Sequence, residues 1–142
     1  TNPFSLTKRQ LLTYSQLSEI SKHPLITIAS HSMSHQNFHN LGFKFANWEI
    51  QKSIKYISEI GGNSKLFAYP YGHKNSYDHL SEYLLLKNNV KFAFTTKSSI
   101  INNNSNPLQL GRVTLMNTKN RGYLNGLIKG SFYWWDKILN RL

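Results

Sequence analysis

Apolar residues are distributed along this chain in two patterns that alternate with each other. Three short runs, residues 25–30, 66–69 and 91–95, are rich in β-branched and aromatic residues and predict buried strands. Residues 112–115 form a fourth candidate strand. The segments between the runs carry apolar residues at the three- and four-residue spacing of helices. The pattern therefore predicts strands and helices in alternation.

Capping residues mark the starts of two of the helical segments. Thr13 and Gln16 have the spacing of a capping box before a helix that runs to about Lys22. Ser76 is expected to cap the third helix. Residues 122–142 predict one or two further helices with an apolar face.

Residues 47–60 predict the longest helix, which a pair of glycines ends. Ile50, Ile54 and Ile57 recur at helical spacing and form its apolar face. The charged residues lie on its other faces: Glu49, Lys52, Lys55 and Glu59.

Alternating strands and helices predict an α/β fold. Right-handed crossovers join such strands into a parallel sheet, and ligands bind at the carboxyl ends of its strands. We therefore expect function to depend on residues that follow Ser30, Tyr69, Thr95 and Leu115. A complete (β/α) barrel takes about 250 residues. The 142 residues of this chain thus predict one domain, residues 1–142, with the fold of a partial (β/α) barrel.

Composition supports a folded domain and limits the kind of site it can hold. Hydrophobic residues make up 39% and aromatic residues 13% of the chain, enough to fill a core. No apolar stretch approaches the roughly 18 residues that a membrane-spanning helix requires. The chain has no cysteine, so a bound cation would take histidine, carboxylate or water as ligands.

The chain is strongly basic. Lys and Arg number 17 against 6 Asp and Glu, which gives a formal charge of +11. This charge predicts attraction to an anionic polymer or surface, including peripheral association with a membrane. Because the basic residues are scattered, we favour a solvated basic surface over a specific nucleic-acid face.

Two histidines follow the first predicted strand. His31 and His35 are four residues apart, so a tight loop or one helical turn places both rings on one side. Such a pair supplies two ligands to a tetrahedral or octahedral cation if a third arrives from another strand. Ser32 and Ser34 are placed to orient the rings through hydrogen bonds. Hydrogen-bonded surface histidines are the alternative.

A proline and a glycine follow the second predicted strand. Pro70 ends the ladder, Gly72 permits a positive φ, and Tyr69 and Tyr71 are expected to form the wall of a groove. An exposed backbone N–H in this turn could hold the oxyanion of a tetrahedral intermediate. An ordinary turn at the end of a strand is the alternative.

Together these motifs resemble the polysaccharide deacetylases (NodB homology, carbohydrate esterase family 4). Residues 31–35 match the family motif His-Ser/Thr-x-x-His, and residues 67–72 read Phe-Ala-Tyr-Pro-Tyr-Gly, as in one branch of the family. The same branch has an Ala-Phe-Thr-Thr strand, matched by residues 93–96, and a Leu-x-Arg strand, matched by residues 110–112. The resemblance covers residues 12–115.

The resemblance implies a hydrolase that removes N-acetyl groups from an amino-sugar polysaccharide, such as a cell-wall or surface glycan of the N-acetylglucosamine type. It implies a divalent metal, most readily zinc, with His31 and His35 as its ligands. The metal would polarise the acetamide carbonyl and lower the pKa of its bound water.

The resemblance also assigns the substrate pocket and one catalytic residue. The substrate-binding residues would be Tyr69, Pro70, Tyr71 and Gly72. Tyr71 would act in catalysis by offering its backbone N–H to the oxyanion. From its position at a predicted strand end, and not from the resemblance, we also expect Arg112 to act in catalysis by holding the aspartate.

The chain departs from the family pattern at three points, one of which is the lack of the Tyr-His strand that carries the general-acid histidine in this branch. No Asp-Asp pair occurs in it, although the family takes its base and third metal ligand from such a motif. Ala68 stands where many relatives have arginine. We therefore expect the chain to be the C-terminal portion of a deacetylase domain, with one or two N-terminal strands missing and an extracytoplasmic location. The rivals are a glycan-binding protein of the same fold without activity and a basic nucleic-acid-binding module.

Overall fold

Three parallel strands and the helices around them form the described part of the chain. The structure is a computed structural model and describes residues 12–114 and 120–130. The strands are β1 (Ala29–Ser30), β2 (Asn63–Ala68) and β3 (Phe92–Phe94), which lie side by side in chain order. The helices are α1 (Tyr14–Ile20), α2 (Phe43–Glu59), α3 (His79–Lys87) and α4 (Arg121–Ile128), and a 3₁₀ turn covers Phe38–Asn40. The predicted alternation of helices with parallel strands is confirmed, and the sheet is consistent with part of a barrel.

The first helix begins at the predicted capping box. Thr13 Oγ1 accepts a hydrogen bond from Gln16 N at 3.3 Å, and Gln16 Oε1 accepts one from Thr13 N at 2.8 Å. The helix contains no fully buried residue. Ser21, at its end, donates from Oγ to Ile60 O at 2.6 Å and so ties α1 to the end of α2.

The first strand is shorter than predicted, and the expectation of a buried strand over residues 25–30 is wrong for residues 25–28. The chain turns at this point, with Ile26 N donating to His23 O at 3.0 Å, and the Leu25 side chain is 88% exposed. The sheet begins where Asn63 N donates to Ile28 O at 2.7 Å. β1 therefore holds Ala29–Ser30 alone, with an irregular register against β2.

The second helix begins at Phe43 rather than near residue 47, because Gly42 takes the extended cap conformation. Its buried stripe is broader than the predicted apolar face and consists of Ala46, Glu49, Ile50, Ser53 and Ile57. Gly62 lies against the end of this helix, since a Cβ there would come within 2.8 Å of Ile57 Cγ2 and of Ile28 O. The glycine pair ends the helix as predicted and lets the chain enter β2.

The third helix has a different cap from the predicted one. Asp78, not Ser76, is its N-cap, and Asp78 Oδ1 accepts from Ser81 N at 2.9 Å. The hydroxyl of Ser76 is buried and donates to His73 O at 2.7 Å, so it closes the preceding turn instead.

The predicted fourth strand at residues 112–115 is wrong within the described residues, which here end at residue 114. The parallel pairing occurs instead at Leu110, which bridges Phe94. Leu110 N donates to Ala93 O and Thr95 N donates to Leu110 O, both at 2.8 Å. The chain then turns towards the preceding loop, where Arg112 N donates to Lys97 O at 2.9 Å.

The core lies between the sheet, α2 and α3. Its buried residues are Phe38, Ala46, Ile50, Phe67, Tyr69, Leu84, Leu85, Val90, Ala93 and Leu108. The Tyr69 ring stacks on Tyr77 at 4.4 Å between centroids and meets Phe67 edge to face.

The predicted helical tail is described in part. α4 lies within residues 122–142 except for its first residue, and residues 131–142, with Trp134 and Trp135, lie outside the described residues. Among the helices of the described ranges, none has the length and apolar character to cross a membrane.

Candidate functional site

The carboxyl ends of β1 and β2 bring the two predicted motifs together. β1 ends at Ser30 and continues into residues 31–35, the histidine loop, and β2 ends at Ala68 and continues into residues 69–72, the proline turn. Because the two strands are parallel neighbours, the histidine loop and the proline turn lie at the same edge of the sheet.

The two predicted metal ligands lie side by side. The ring centroids of His31 and His35 are 4.9 Å apart and the rings meet at 76°. The Tyr71 ring contacts His35 with centroids also 4.9 Å apart. All three side chains are exposed, so a solute can reach them.

A hydrogen bond fixes the orientation of the His31 ring. Its Nδ1 lies 2.7 Å from Ala68 O. Because a carbonyl oxygen can only accept, Nδ1 carries the proton, and in the neutral ring Nε2 keeps its lone pair for a cation. The carbonyl of Ala68 therefore orients the His31 ring.

The histidine loop is strained at two positions. Ser32 has a φ of 65° and His35 a φ of 58°, which residues other than glycine rarely adopt. His35 N donates to Ser32 Oγ at 3.0 Å, as the sequence led us to expect of one of these serines.

Glu49 holds the middle of the histidine loop, so the prediction that it lies off the buried face of its helix is wrong. Its side chain is fully buried and accepts hydrogen bonds from Met33 N at 2.8 Å, from Ser34 N at 2.9 Å and from Ser34 Oγ. A signal was present in the sequence, because positions 46, 49, 50, 53 and 57 follow the i, i+3, i+4, i+7 spacing of a buried stripe. The apolar face predicted from the isoleucines alone did not include Glu49.

The proline turn presents one backbone donor. Tyr71 has a φ of 62° and Gly72 N donates to Pro70 O at 2.7 Å, which is the strained form of a γ-turn. Within the described ranges, Tyr71 N–H finds no acceptor, so this donor is available to a ligand.

Thr96 fixes the proline turn through two hydrogen bonds. Thr96 N donates to Gly72 O at 2.8 Å and Thr96 Oγ1 donates to Tyr71 O at 3.2 Å. Gly72 has a φ of 68°, and a Cβ on it would lie 2.8 Å from Thr96 N. This position therefore requires glycine.

Tyr69 and Pro70 are buried, so the expected wall of two tyrosines is wrong. Tyr69 is 1% exposed and packs in the core, while Tyr71 is 54% exposed. Burial, followed by the negative charge of Glu82, raises the pKa of Tyr69 far above its usual value, so the phenol stays protonated. Tyr71 is thus the tyrosine of the proline turn that a substrate can touch.

Arg112 lies behind the proline turn. Its Nε donates to Thr95 O at 2.7 Å, next to the residue that holds Gly72. The two aspartates of the chain are Asp78, which caps α3, and Asp136, which lies outside the described residues. An aspartate held by Arg112 is therefore still a prediction.

The histidine pair supplies two donors to a cation. Two imidazoles from one loop, one with its tautomer fixed by a carbonyl, have the chemistry of zinc ligands. Over residues 12–114 and 120–130, no group of three or more His, Asp or Glu side chains is arranged to hold a metal ion.

Comparison with known proteins gives a family model and two similar structures. A model described as polysaccharide deacetylase matches residues 4–93. The Streptococcus pyogenes deacetylase PplD in complex with acetate is similar with a TM-score of 0.73 and 21% identity, over 84% of this chain and 52% of that chain. The de-N-acetylase from Aggregatibacter actinomycetemcomitans is similar with a TM-score of 0.64 and 15% identity, over 82% of this chain and 53% of that chain.

The two similar structures establish the fold of the chain. At 21% and 15% identity the two structures show a shared fold, and the chain spans about half the length of each. No curated protein matches the chain.

Proposed function

The chain belongs to the polysaccharide deacetylase family, and from this premise we propose that it serves in the metal-dependent removal of N-acetyl groups from an amino-sugar polysaccharide. The observation that carries the proposal is the contact of His31 with His35 and of His35 with Tyr71 at the carboxyl edge of the sheet. The substrate class we propose is a cell-wall or surface glycan of the N-acetylglucosamine type, which puts the site of action outside the cytoplasm.

His31 and His35 would hold the cation, with zinc as the metal we propose. When bound, a divalent cation of this kind polarises an amide carbonyl and lowers the pKa of water. His31 is prepared for this role because its Nδ1–H donates a hydrogen bond to Ala68 O, which leaves Nε2 as the ligand atom.

The proline turn would bind the acetyl group and its oxyanion. Tyr71 N–H is a donor for which the described residues supply no acceptor, and a donor of fixed position lowers the energy of a tetrahedral intermediate more than mobile water does. The exposed Tyr71 ring lies beside His35 and would pack against the sugar or its acetyl methyl group. Pro70 and Gly72 contribute the shape of the turn rather than exposed surface.

Hydrolysis also requires a base that accepts a proton from the attacking water, and a carboxylate can serve as this base. We assign this role to an aspartate of the family's Asp-Asp motif, which does not occur among the 142 residues, with Arg112 as its proposed partner. The basic surface, with a formal charge of +11, would assist by attracting an anionic cell surface or polymer.

The test measures amine release from a chitooligosaccharide with and without added Zn²⁺. We expect release that depends on the metal, and a loss of at least about 100-fold in His31→Ala, since the substitution removes a metal ligand. His23→Ala is the matched control, because His23 lies in the turn before β1 and should leave the rate unchanged. Full activity in His31→Ala would contradict the proposal.

A second candidate is a protein of the same fold that binds glycan without cleaving it. The observation that favours it is the lack of an Asp-Asp pair in the 142 residues. Calorimetric binding of the chitooligosaccharide without any amine release at saturating Zn²⁺ would identify this function. A basic nucleic-acid-binding module would instead bind DNA or RNA tightly and in a salt-dependent way, and His31→Ala would leave this binding unchanged.

A further inference from the structure

We propose that Glu49 is the positioning residue of the histidine pair, and that its hydrogen bonds to the histidine loop set how tightly the pair binds a cation. The inference rests on the proposed function, because it concerns the same loop and the same metal. Glu49 is fully buried and so out of reach of a substrate, and it would act through its hydrogen bonds with Met33 and Ser34.

The first step of the argument is the number of hydrogen bonds that Glu49 receives. Oε2 accepts from both Met33 N and Ser34 N, and Oε1 accepts from Ser34 Oγ. The side chain is fully buried, so these donors replace the water that a carboxylate otherwise binds. A buried carboxylate with this set of donors fixes the backbone between the two histidines.

The second step is that the histidine loop needs to be held. Ser32 and His35 lie on either side of Met33 and Ser34, and both have a positive φ. Such conformations persist when the surrounding structure enforces them. Without the contacts to Glu49, the loop can relax to conformations in which the two rings no longer lie side by side.

The third step is that α2 holds the loop at a second point. Ser30 Oγ donates to Ser53 Oγ at 2.7 Å immediately before His31, and Ser53 Oγ donates to Ile50 O. Glu49 and Ser53 are four residues apart and lie on the same face of α2. The helix therefore anchors both the start and the middle of the histidine loop.

Two substitutions separate hydrogen-bond geometry from charge. Glu49→Gln removes the charge but can keep all three contacts, with Oε1 accepting from the two N–H groups and Nε2 donating to Ser34 Oγ. Glu49→Asp keeps the charge but is one methylene shorter and cannot reach the loop in the same way. If geometry matters, Gln should preserve the site and Asp should not.

Zn²⁺ affinity, measured by isothermal titration calorimetry on the full chain, is the first readout. We expect Glu49→Gln to bind within about threefold of the unsubstituted chain and Glu49→Asp to bind at least about tenfold more weakly. Ile57→Ala is the control for general destabilisation, because it removes a buried side chain from the same helix and leaves the loop contacts intact. Its affinity should be unchanged.

Three results would overturn the inference. Unchanged affinity in Glu49→Asp would show that the hydrogen bonds do not matter to the metal. An equal loss in Glu49→Gln would show that the charge, not the geometry, is responsible. An equal loss in Ile57→Ala would show that the effect is one of stability alone.

A second readout needs neither metal nor variant. The amides of Met33 and Ser34 should exchange with solvent at least about 100-fold more slowly than the amide of Lys74. Lys74 is an exposed loop residue whose amide donates no hydrogen bond within the described ranges. Exchange at the rate of Lys74 would overturn the inference. If the unsubstituted chain binds no Zn²⁺, the proposed function fails, and the amide exchange still decides whether Glu49 holds the loop.

Discussion

At the scale of single residues, two buried polar side chains differ in whether they have hydrogen-bond partners. The hydroxyl of Tyr69 is buried and, among the described residues, has no hydrogen-bond partner. The carboxylate of Glu49 is equally buried but accepts three hydrogen bonds. An unpaired polar group costs stability, whereas a satisfied one fixes a conformation.

Tyr69 should make the fold sensitive to alkaline pH. Burial raises the pKa of Tyr69 in the folded chain, so the phenol ionises first in the unfolded chain. Its contribution is therefore complete below about pH 10 and declines as the pH rises further, by up to about 1.4 kcal/mol per pH unit. Urea denaturation at several pH values should show this decline, and Tyr69→Phe should reduce it.

Tyr56→Phe is the control for this measurement, because Tyr56 is exposed. The pKa of Tyr77 is also raised by burial, so part of the alkaline decline should remain in Tyr69→Phe. An identical decline in Tyr69→Phe and in the unsubstituted chain would contradict the assignment.

Gly72 should be the least replaceable residue of the proline turn. Alanine there would place a Cβ 2.8 Å from Thr96 N at a φ of 68°, so Gly72→Ala should lower the free energy of unfolding by about 1–3 kcal/mol. Gly42→Ala meets no atom within 4 Å and should change it by less than about 0.5 kcal/mol. Equal effects of the two substitutions in chemical denaturation would show that the turn relaxes.

At the scale of helices and strands, local signals were predictable and long-range contacts were not. The capping box of α1 is confirmed because Thr13 and Gln16 lie within one turn of each other. The strand expected from residue 25 begins later because a turn from His23 to Ile26 comes first, and the first hydrogen bond to β2 is at Ile28 O. Apolar composition indicates β-propensity, but sheet pairing depends on a neighbour that the local sequence does not name.

The candidate site shows the same limit. Both motifs could be placed at strand ends from the sequence, because parallel strands end at a common edge. The burial of Tyr69 and the role of Glu49 depend on α2 and α3 packing against the loops, which a pattern read along one segment does not contain.

The cap of α3 gives a test at this scale. Asp78→Ala should cost about 1 kcal/mol of stability and speed the amide exchange of Ser81, because the side chain of Asp78 accepts from that N–H. Ser76→Ala breaks a bond to His73 O instead and should leave the exchange of Ser81 unchanged. Faster exchange of Ser81 in Ser76→Ala alone would restore the cap that the sequence suggested.

At the scale of the whole molecule, the positive charge is poorly compensated. The chain has 6 acidic and 17 basic residues. Among the described residues, Lys55 and Glu59 form an ion pair on the surface, with Nζ and Oε1 3.8 Å apart. Like charges repel one another in the compact state, and salt screens this repulsion. The net charge is therefore a property of solubility and partner choice rather than of the fold.

Salt should stabilise the chain for this reason. Raising NaCl from about 0.01 M to about 0.15 M shortens the screening length from about 30 Å to about 8 Å, so the melting temperature should rise. The His31→Ala variant should show the same rise, since it changes no charge of the basic surface. A melting temperature that falls with salt would indicate that attractive ion pairs dominate.

The central claim is that His31 and His35 bind one cation together at the edge of the proline turn. A Zn²⁺ titration followed by NMR of the six histidine rings tests it most directly. The account predicts that the signals of His31 and His35 change together and saturate at one equivalent of Zn²⁺, while those of His23 and His39 stay in place. Rings 31 and 35 that respond separately, or no more than His23 and His39, would contradict it.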